Sequence, residues 1–212
     1  MKTEDLIRAL AADGARPIKP VSHYLLRGIL GGALLAVSVF LLSLHTRPDL
    51  SQALRSPAFV YKIIVAAALA LTAGSLLREV ARPLPTSARH FGLLIVSPAL
   101  LAIGVGIELG TQPAALWLQR LVGHNAAHCL SLIPVLAAGP AVCLFVVLRR
   151  AAPARPASAG AIAGLAAGGI GAMLYALTCP DDSPLFVATW YTLAIAAVTG
   201  VSAYAGRRLL RW

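Results

Sequence analysis

The stretch that decides the fold runs from Ala126 to Leu148, AAHCLSLIPVLAAGPAVCLFVVL, and holds no aspartate, glutamate, lysine or arginine. As a helix it would be about 35 Å long at 1.5 Å per residue, which is enough to cross the roughly 30 Å of bilayer hydrocarbon. Its apolar residues are continuous and do not alternate with polar ones, so the stretch predicts a membrane-spanning helix and not a barrel strand.

Five further apolar runs lie on either side of this one. The whole chain of 212 residues is 58% hydrophobic and only 12% charged, about half the charge of an ordinary soluble domain. This composition excludes a disordered chain, and three cysteines are too few for a disulfide scaffold. We therefore predict an all-α polytopic membrane protein, a bundle of six transmembrane helices, which we call spans 1 to 6, at residues 24–44, 59–77, 91–108, 126–148, 159–178 and 185–206.

The distribution of lysine and arginine predicts the orientation of the spans. Of the 18 such residues, 14 fall on the side that holds both termini and four on the other. Positive charge collects on the cytoplasmic side, so both termini are expected to be cytoplasmic. The formal net charge of +10 is therefore a topology signal, and we expect no direct contact with nucleic acid. The chain divides into a cytoplasmic segment 1–23, a transmembrane domain 24–206 and a short basic tail 207–212.

The spans offer little to a transporter or an enzyme. Arg27, Lys62 and Glu108 lie close to span ends, where long side chains are expected to extend to the interface. No ionisable residue stands near the middle of a span, which disfavours ion-coupled transport. No catalytic motif is present, so we do not expect an enzyme.

Small residues recur at intervals of four in span 5, at Gly160, Gly164 and Gly168. Such spacing lets two helix backbones approach closely. Ordinary packing within one bundle is the favoured interpretation. A regulated contact or a homo-oligomer seam stays open as the alternative.

Two cysteines fall near the outer ends of adjacent spans. Cys129 in span 4 and Cys179 in span 5 are expected at one depth, because the two spans run in opposite directions. Cys143 is about 21 Å further along span 4 and cannot pair with Cys129. The pair could form a disulfide, or it could be reactive thiols that meet oxidants or soft metal ions.

Further polar residues surround the pair. A metal site could include His124, His128, Cys129, Cys179 and Asp181, although their spacing matches no standard motif and interfacial polar residues are the simpler interpretation. Asp181, Asp182 and Ser183, followed by Pro184, also suit the start of span 6, as helix-capping residues.

The segment before span 1 has features of a short amphipathic helix. Thr3 can cap it, Glu4 and Asp5 suit its first turn, and three residues form an apolar stripe: Leu6, Ile7 and Leu10. So short a helix is marginal in water and needs a surface on which to fold. Its mixed charges favour a protein partner over a lipid surface. A disordered leader is the alternative.

Three stretches of the chain resemble the NrsF-like family: MKTEDLIRALAAD (1–13), HCLSLIPVLA (128–137) and TCPDDSPLFVATWY (178–191). The members of this family are six-span anti-sigma factors of the bacterial inner membrane, which restrain an extracytoplasmic-function (ECF) sigma factor. The resemblance implies that Cys129 and Cys179 take part in sensing. It also implies that the N-terminus binds the sigma factor, through Lys2, Thr3, Glu4, Asp5, Leu6, Ile7, Arg8 and Leu10.

The expected partners are thus an ECF sigma factor and the lipid bilayer. No obligatory cofactor is expected, although heavy-metal ions could bind transiently. Two other functions are weighed against this one. The first is a small-solute transporter or channel, and the second is a membrane enzyme that uses the His/Cys/Asp cluster.

Overall fold

A computed structural model describes residues 3–5, 21–81 and 92–210. Within these residues the protein is helical and has no strand. Six helices are long and apolar enough to cross a membrane, so the predicted fold class is confirmed. The helices begin and end within three residues of the predicted spans: Val21–Ser43, Pro57–Val80, Leu93–Thr111, Ala126–Ala151, Pro156–Ala176 and Pro184–Leu209. We keep the names spans 1 to 6 for these helices.

Span 5 lies at the centre of the bundle and packs against spans 2, 4 and 6. Its small side chains make this position possible, because larger ones would hold the neighbouring helices away. A Cβ on Gly160 would come within 2.4 Å of the Ser202 carbonyl oxygen in span 6, and one on Gly171 within 2.8 Å of the Ile133 carbonyl oxygen in span 4. The small residues therefore serve packing inside one chain, as the favoured interpretation had it.

Buried apolar side chains form two main clusters at opposite ends of the bundle. The first cluster includes Leu25, Leu76 and Leu144 and lies at the end of the bundle where span 1 begins and span 6 ends. The other includes Cys129 and Cys179. We call this second end, which carries the loops 44–56, 112–125 and 177–183, the cysteine end.

Two short helices in these loops were not predicted. One turn, Leu50–Ala53, follows span 1. Ala114–Val122 follows span 3 and carries exposed apolar side chains, among them Trp117 and Leu118. Nine residues are too few to cross a bilayer, so hydrophobic length in the sequence does not indicate this amphipathic helix.

Candidate functional site

The two cysteines of the predicted sensor lie in one buried cluster. Cys129 stands in the first turn of span 4 and Cys179 directly after span 5, with exposed fractions of 0% and 1%. Tyr175 and Tyr191 belong to the same cluster. Both cysteines are free thiols, as is Cys143. The two residues thus share one end of the bundle, and neither is in a disulfide.

Burial and charge act in opposite directions on Cys179. Burial raises the pKa of this thiol, the positive charge of Lys62 lowers it, and the balance leaves the pKa above its ordinary value. The thiol also lies 3.9 Å from the Asp181 carbonyl oxygen, to which it donates. Because the thiolate is the reactive form, Cys179 is a poor nucleophile while it is enclosed in this way.

The Lys62 side chain, predicted to extend to the interface, is instead buried inside the bundle. Its exposed fraction is 1%, and its ammonium group donates to the carbonyl oxygens of Cys179, at 3.0 Å, and of Asp181, at 3.2 Å. It also forms an ion pair of 2.5 Å with Asp182. Because a carboxylate and two carbonyls lie within its reach, the side chain has no need to extend to water.

Arg47, in the loop after span 1, holds the same residues from a second direction. Its guanidinium group pairs with Asp182 at 2.8 Å and with Asp49 at 2.7 Å. The Phe59 ring lies near both cations, with its centroid 5.6 Å from the guanidinium carbon of Arg47 and 5.5 Å from the Lys62 nitrogen. The face of an aromatic ring attracts cations, so Phe59 adds to the enclosure of both charges.

Asp181 binds the loop that leads into span 4. Its carboxylate accepts hydrogen bonds from the backbone N–H groups of His124 and Asn125, at 3.1 and 2.9 Å, and from the Asn125 side-chain amide at 3.0 Å. Burial tends to raise the pKa of Asp181, but these hydrogen bonds outweigh it and lower the pKa. Gly123, with φ of 57°, makes the turn just before these donors.

Only part of the predicted cap of span 6 is found. Ser183 is the N-cap and accepts a hydrogen bond from the Phe186 N–H, with Pro184 at the first helical turn. The two aspartates, however, bind other elements of the cysteine end. Helix capping therefore accounts for Ser183 and Pro184 and does not account for Asp181 or Asp182.

Glu108, expected at the interface, is also buried, with an exposed fraction of 4%. Its carboxylate accepts hydrogen bonds from the Ser183 hydroxyl at 2.7 Å and from the Leu185 N–H at 2.8 Å. It also pairs with Arg120 of the helix Ala114–Val122. Span 3, the short helix and the start of span 6 are thereby joined at one carboxylate.

The residues of the predicted metal site are only partly brought together. The His124 ring lies 3.6 Å from an Asp181 oxygen, but the His124 side chain is 83% exposed. His128 is exposed, while Cys129 next to it is buried. In the part of the chain that the structure describes, no three His, Cys, Asp or Glu residues are grouped so that they could hold a metal ion.

The predicted sigma-binding residues are mostly not described. Thr3, Glu4 and Asp5 are helical and exposed. The others lie outside the described residues, namely Lys2, Leu6, Ile7, Arg8 and Leu10. Their role stays a prediction from the sequence.

Sequence reasoning did not find the roles of Lys62, Asp182 and Glu108. A signal was present for Lys62 and Glu108, since each lies within five residues of a helix end and faces other charges in the loops of the same end. The sequence does not give these partners, because Lys62 and Asp182 are 120 residues apart and Glu108 and Ser183 are 75 residues apart.

The comparisons with known proteins agree on one family. Residues 10–212 match the family described as "NrsF: Negative regulator of sigma F". The chain is 35% identical over 214 residues to the "Anti-sigma-F factor NrsF" of Caulobacter vibrioides (strain NA1000 / CB15N), with 100% of both chains covered. It is 32% identical over 218 residues to the "Probable anti-sigma-F factor NrsF" of Azospira oryzae (strain ATCC BAA-33 / DSM 13638 / PS), again with 100% of both covered. No solved structure matches the chain.

Proposed function

The chain belongs to the NrsF family of negative regulators of sigma F, and from this premise we propose that it is a membrane-bound anti-sigma factor. The observation that carries the proposal is the similarity to two anti-sigma-F factors over the full length of each. The six apolar helices agree with a multi-pass regulator in the inner membrane, with both termini in the cytoplasm. The function is regulatory and not enzymatic.

The N-terminal segment is the part that binds the sigma factor in this proposal. The apolar stripe of Leu6, Ile7 and Leu10 docks in a groove of an ECF sigma factor and so gains the surface that a short helix needs. The bound sigma factor is held at the membrane and kept from RNA polymerase.

The signal is received at the cysteine end, which faces the periplasm in this proposal. Oxidants or heavy-metal ions react with Cys129 and Cys179, a pair of soft ligands and nucleophiles. What supports this is that the two thiols are free and share one buried cluster that joins spans 4 and 5. Modification of either thiol disturbs this packing, and the change reaches the N-terminus, so the sigma factor leaves.

The rival function of small-solute transport gains little from the structure. A cavity of about 530 Å³ lies between spans 2, 3, 5 and 6, and its walls are mainly apolar. Such walls suit an apolar chain and give a polar solute few partners.

Sigma-factor binding is tested by changing both Leu6 and Ile7 to aspartate. We expect the sigma factor to be lost from purified membranes while the variant itself stays there, because two charges on the stripe oppose burial in a groove. The matched control changes Ala9 and Ala12 to aspartate, which adds the same charge off the stripe and should leave binding intact. Undiminished binding by the Leu6/Ile7 variant would refute the docking helix.

The sensor is tested by changing both Cys129 and Cys179 to serine, with Cys143→Ser as the control. Expression from a sigma-dependent reporter should no longer rise when the cells meet cadmium or a thiol oxidant, while the control should respond normally. If the double variant responds as the parent does, the cysteine pair is not the sensor.

A further inference from the structure

Among the residues that the structure describes, the three hydrogen-bond acceptors of Lys62 all belong to one loop. This loop, residues 177–183, carries Cys179, and we call it the Cys179 loop. Lys62 donates to the carbonyl oxygens of Cys179 and Asp181 and to the Asp182 carboxylate. An ammonium group has three protons to donate, so the Cys179 loop accounts for all three.

The same loop is fastened at its start by the loop after span 1. The Arg47 backbone N–H donates to the Leu177 carbonyl oxygen at 3.0 Å, and the Thr178 hydroxyl donates to the His45 carbonyl oxygen at 3.1 Å. The Arg47 side chain then shares Asp182 with Lys62. Asp182 is therefore the point at which span 2 and the loop after span 1 both hold the Cys179 loop.

We propose that Lys62 and Asp182 form a clamp that keeps the Cys179 loop closed and so controls the access of oxidants and soft metal ions to the Cys129–Cys179 pair. Lys62 is a positioning residue: it touches the backbone around Cys179 and reacts with nothing itself. The inference rests on the proposed sensing function of the pair and adds its regulation.

Loss of either clamp residue should open the loop. Without Lys62, Asp182 keeps only Arg47 as a charged partner and the carbonyl oxygens of Cys179 and Asp181 lose a donor, and without Asp182 the buried Lys62 ammonium loses its carboxylate. Local opening is governed by its own free energy, which can be far below that of unfolding. Lys62→Met keeps an unbranched side chain of similar length and removes the charge. It leaves Asp182 and two carbonyl oxygens without the donor that Lys62 supplied.

Alkylation by N-ethylmaleimide measures the opening directly. The reaction is followed on the purified full chain in lipid nanodiscs, with Cys143→Ser as the background, and mass spectrometry identifies which cysteine is modified. No sigma factor is present. Failure of the clamp is thus distinguished from failure of the proposed function, which is measured by sigma-factor binding and release.

The sign of the result separates opening from a direct electrostatic effect. The Lys62 charge lowers the pKa of Cys179, so its removal at constant structure would reduce the thiolate fraction and slow alkylation. A faster reaction in Lys62→Met therefore reports that the loop has opened.

We expect Cys179 to be alkylated at least about tenfold faster in Lys62→Met than in the parent. Arg55→Met, which removes an exposed cation from the same end, should leave the rate unchanged. In Lys62→Met with Asp182→Leu the carboxylate that Lys62 paired is removed as well, while Arg47 keeps Asp49 as its partner, so the rate should fall below that of Lys62→Met alone.

Three results would overturn the proposal. The first is that Cys179 is alkylated no faster in Lys62→Met than in the parent. The second is that Arg55→Met accelerates alkylation as much as Lys62→Met does. The third is that Cys179 is alkylated as fast in the double variant as in Lys62→Met alone. Should Lys62→Met fail to elute as a single folded species, Asp182→Asn, which keeps the side-chain volume, is judged by the same rates.

Discussion

Asp181 and Asp182 are neighbours in the sequence but bind different parts of the cysteine end. Asp181 accepts hydrogen bonds from the loop before span 4, through His124 and Asn125. Asp182 pairs with Lys62 of span 2 and with Arg47. Two adjacent carboxylates thereby join two sides of the bundle. Substitution of Asp181 therefore weakens the contact with the loop before span 4, and substitution of Asp182 weakens the contacts with Lys62 and Arg47.

The low pKa of Asp181 gives a pH-dependent prediction. Because its pKa in the folded protein lies below the ordinary value of about 4, its ionised form stabilises the fold above that pH, and this stabilisation is lost as the pH falls through the folded pKa. Asp181→Asn should lower the melting temperature in detergent at pH 7, and the difference from the parent should shrink below about pH 4. Asp5→Asn, at an exposed site, is the control. A difference that persists unchanged at pH 3 would contradict the assignment.

Among the elements, span 5 and span 6 make the closest contact, and glycine permits it. A Cβ on Gly164 would lie 2.7 Å from the Ser202 Cβ and 2.9 Å from the Thr199 Cα, whereas one on Gly200 would meet nothing within 4 Å. Both glycines are in spans and are equally apolar. Only Gly164 lies where spans 5 and 6 touch.

This difference predicts unequal effects of the same substitution. Gly164→Val should force the two helices apart, at a cost of about 1–3 kcal/mol or more, because an overpacked contact strains backbone that cannot move aside. Gly200→Val should be nearly neutral. The fraction of protein that remains monodisperse after heating in detergent compares the two, and equal losses would show that the contact between spans 5 and 6 is not close.

At the level of elements, the sequence was sufficient for the spans and insufficient for the loops. The apolar runs that begin at Ala126 and at Pro156 are long and uncharged, and hydrophobic length indicates where a helix crosses a bilayer. The helix Ala114–Val122 is short, so length gave no signal. The partners of Lys62 and Glu108 were missed because pairing depends on which loops meet, and no local pattern in the chain carries that information.

On the scale of the whole molecule, the two ends of the bundle differ in chemistry. The cysteine end is a buried network of charges around two thiols, with Lys62, Asp182 and Glu108 at its centre. The opposite end is an apolar cluster that includes Leu25 of span 1 and Leu76 of span 2. Span 4 contributes to both clusters, with Cys129 in one and Leu144 in the other, and it packs along span 1, whereas span 2 has little contact with span 1. In the proposed function, span 4 is therefore the element through which a change at the thiols reaches span 1.

This route gives the proposed release a physical form. Span 1 begins at Val21, directly after the N-terminal segment, and Leu25 is fully buried against its neighbours. Packed interfaces tend to change between discrete arrangements rather than bend gradually. The start of span 1 packs against the end of span 4, where Gly28 faces Val147. In the proposed function, a shift of span 4 that follows modification of Cys129 would thus change the packing at the start of span 1.

The most direct test of the account is whether this protein holds a sigma factor through its N-terminus. The full-length protein and a version without residues 2–20 are each purified from solubilised membranes, and the proteins bound to them are identified by mass spectrometry. The account predicts that a sigma factor accompanies the full-length protein and is absent from the shortened one. A full-length protein that purifies without a sigma factor, or a sigma factor that accompanies both versions equally, would contradict it.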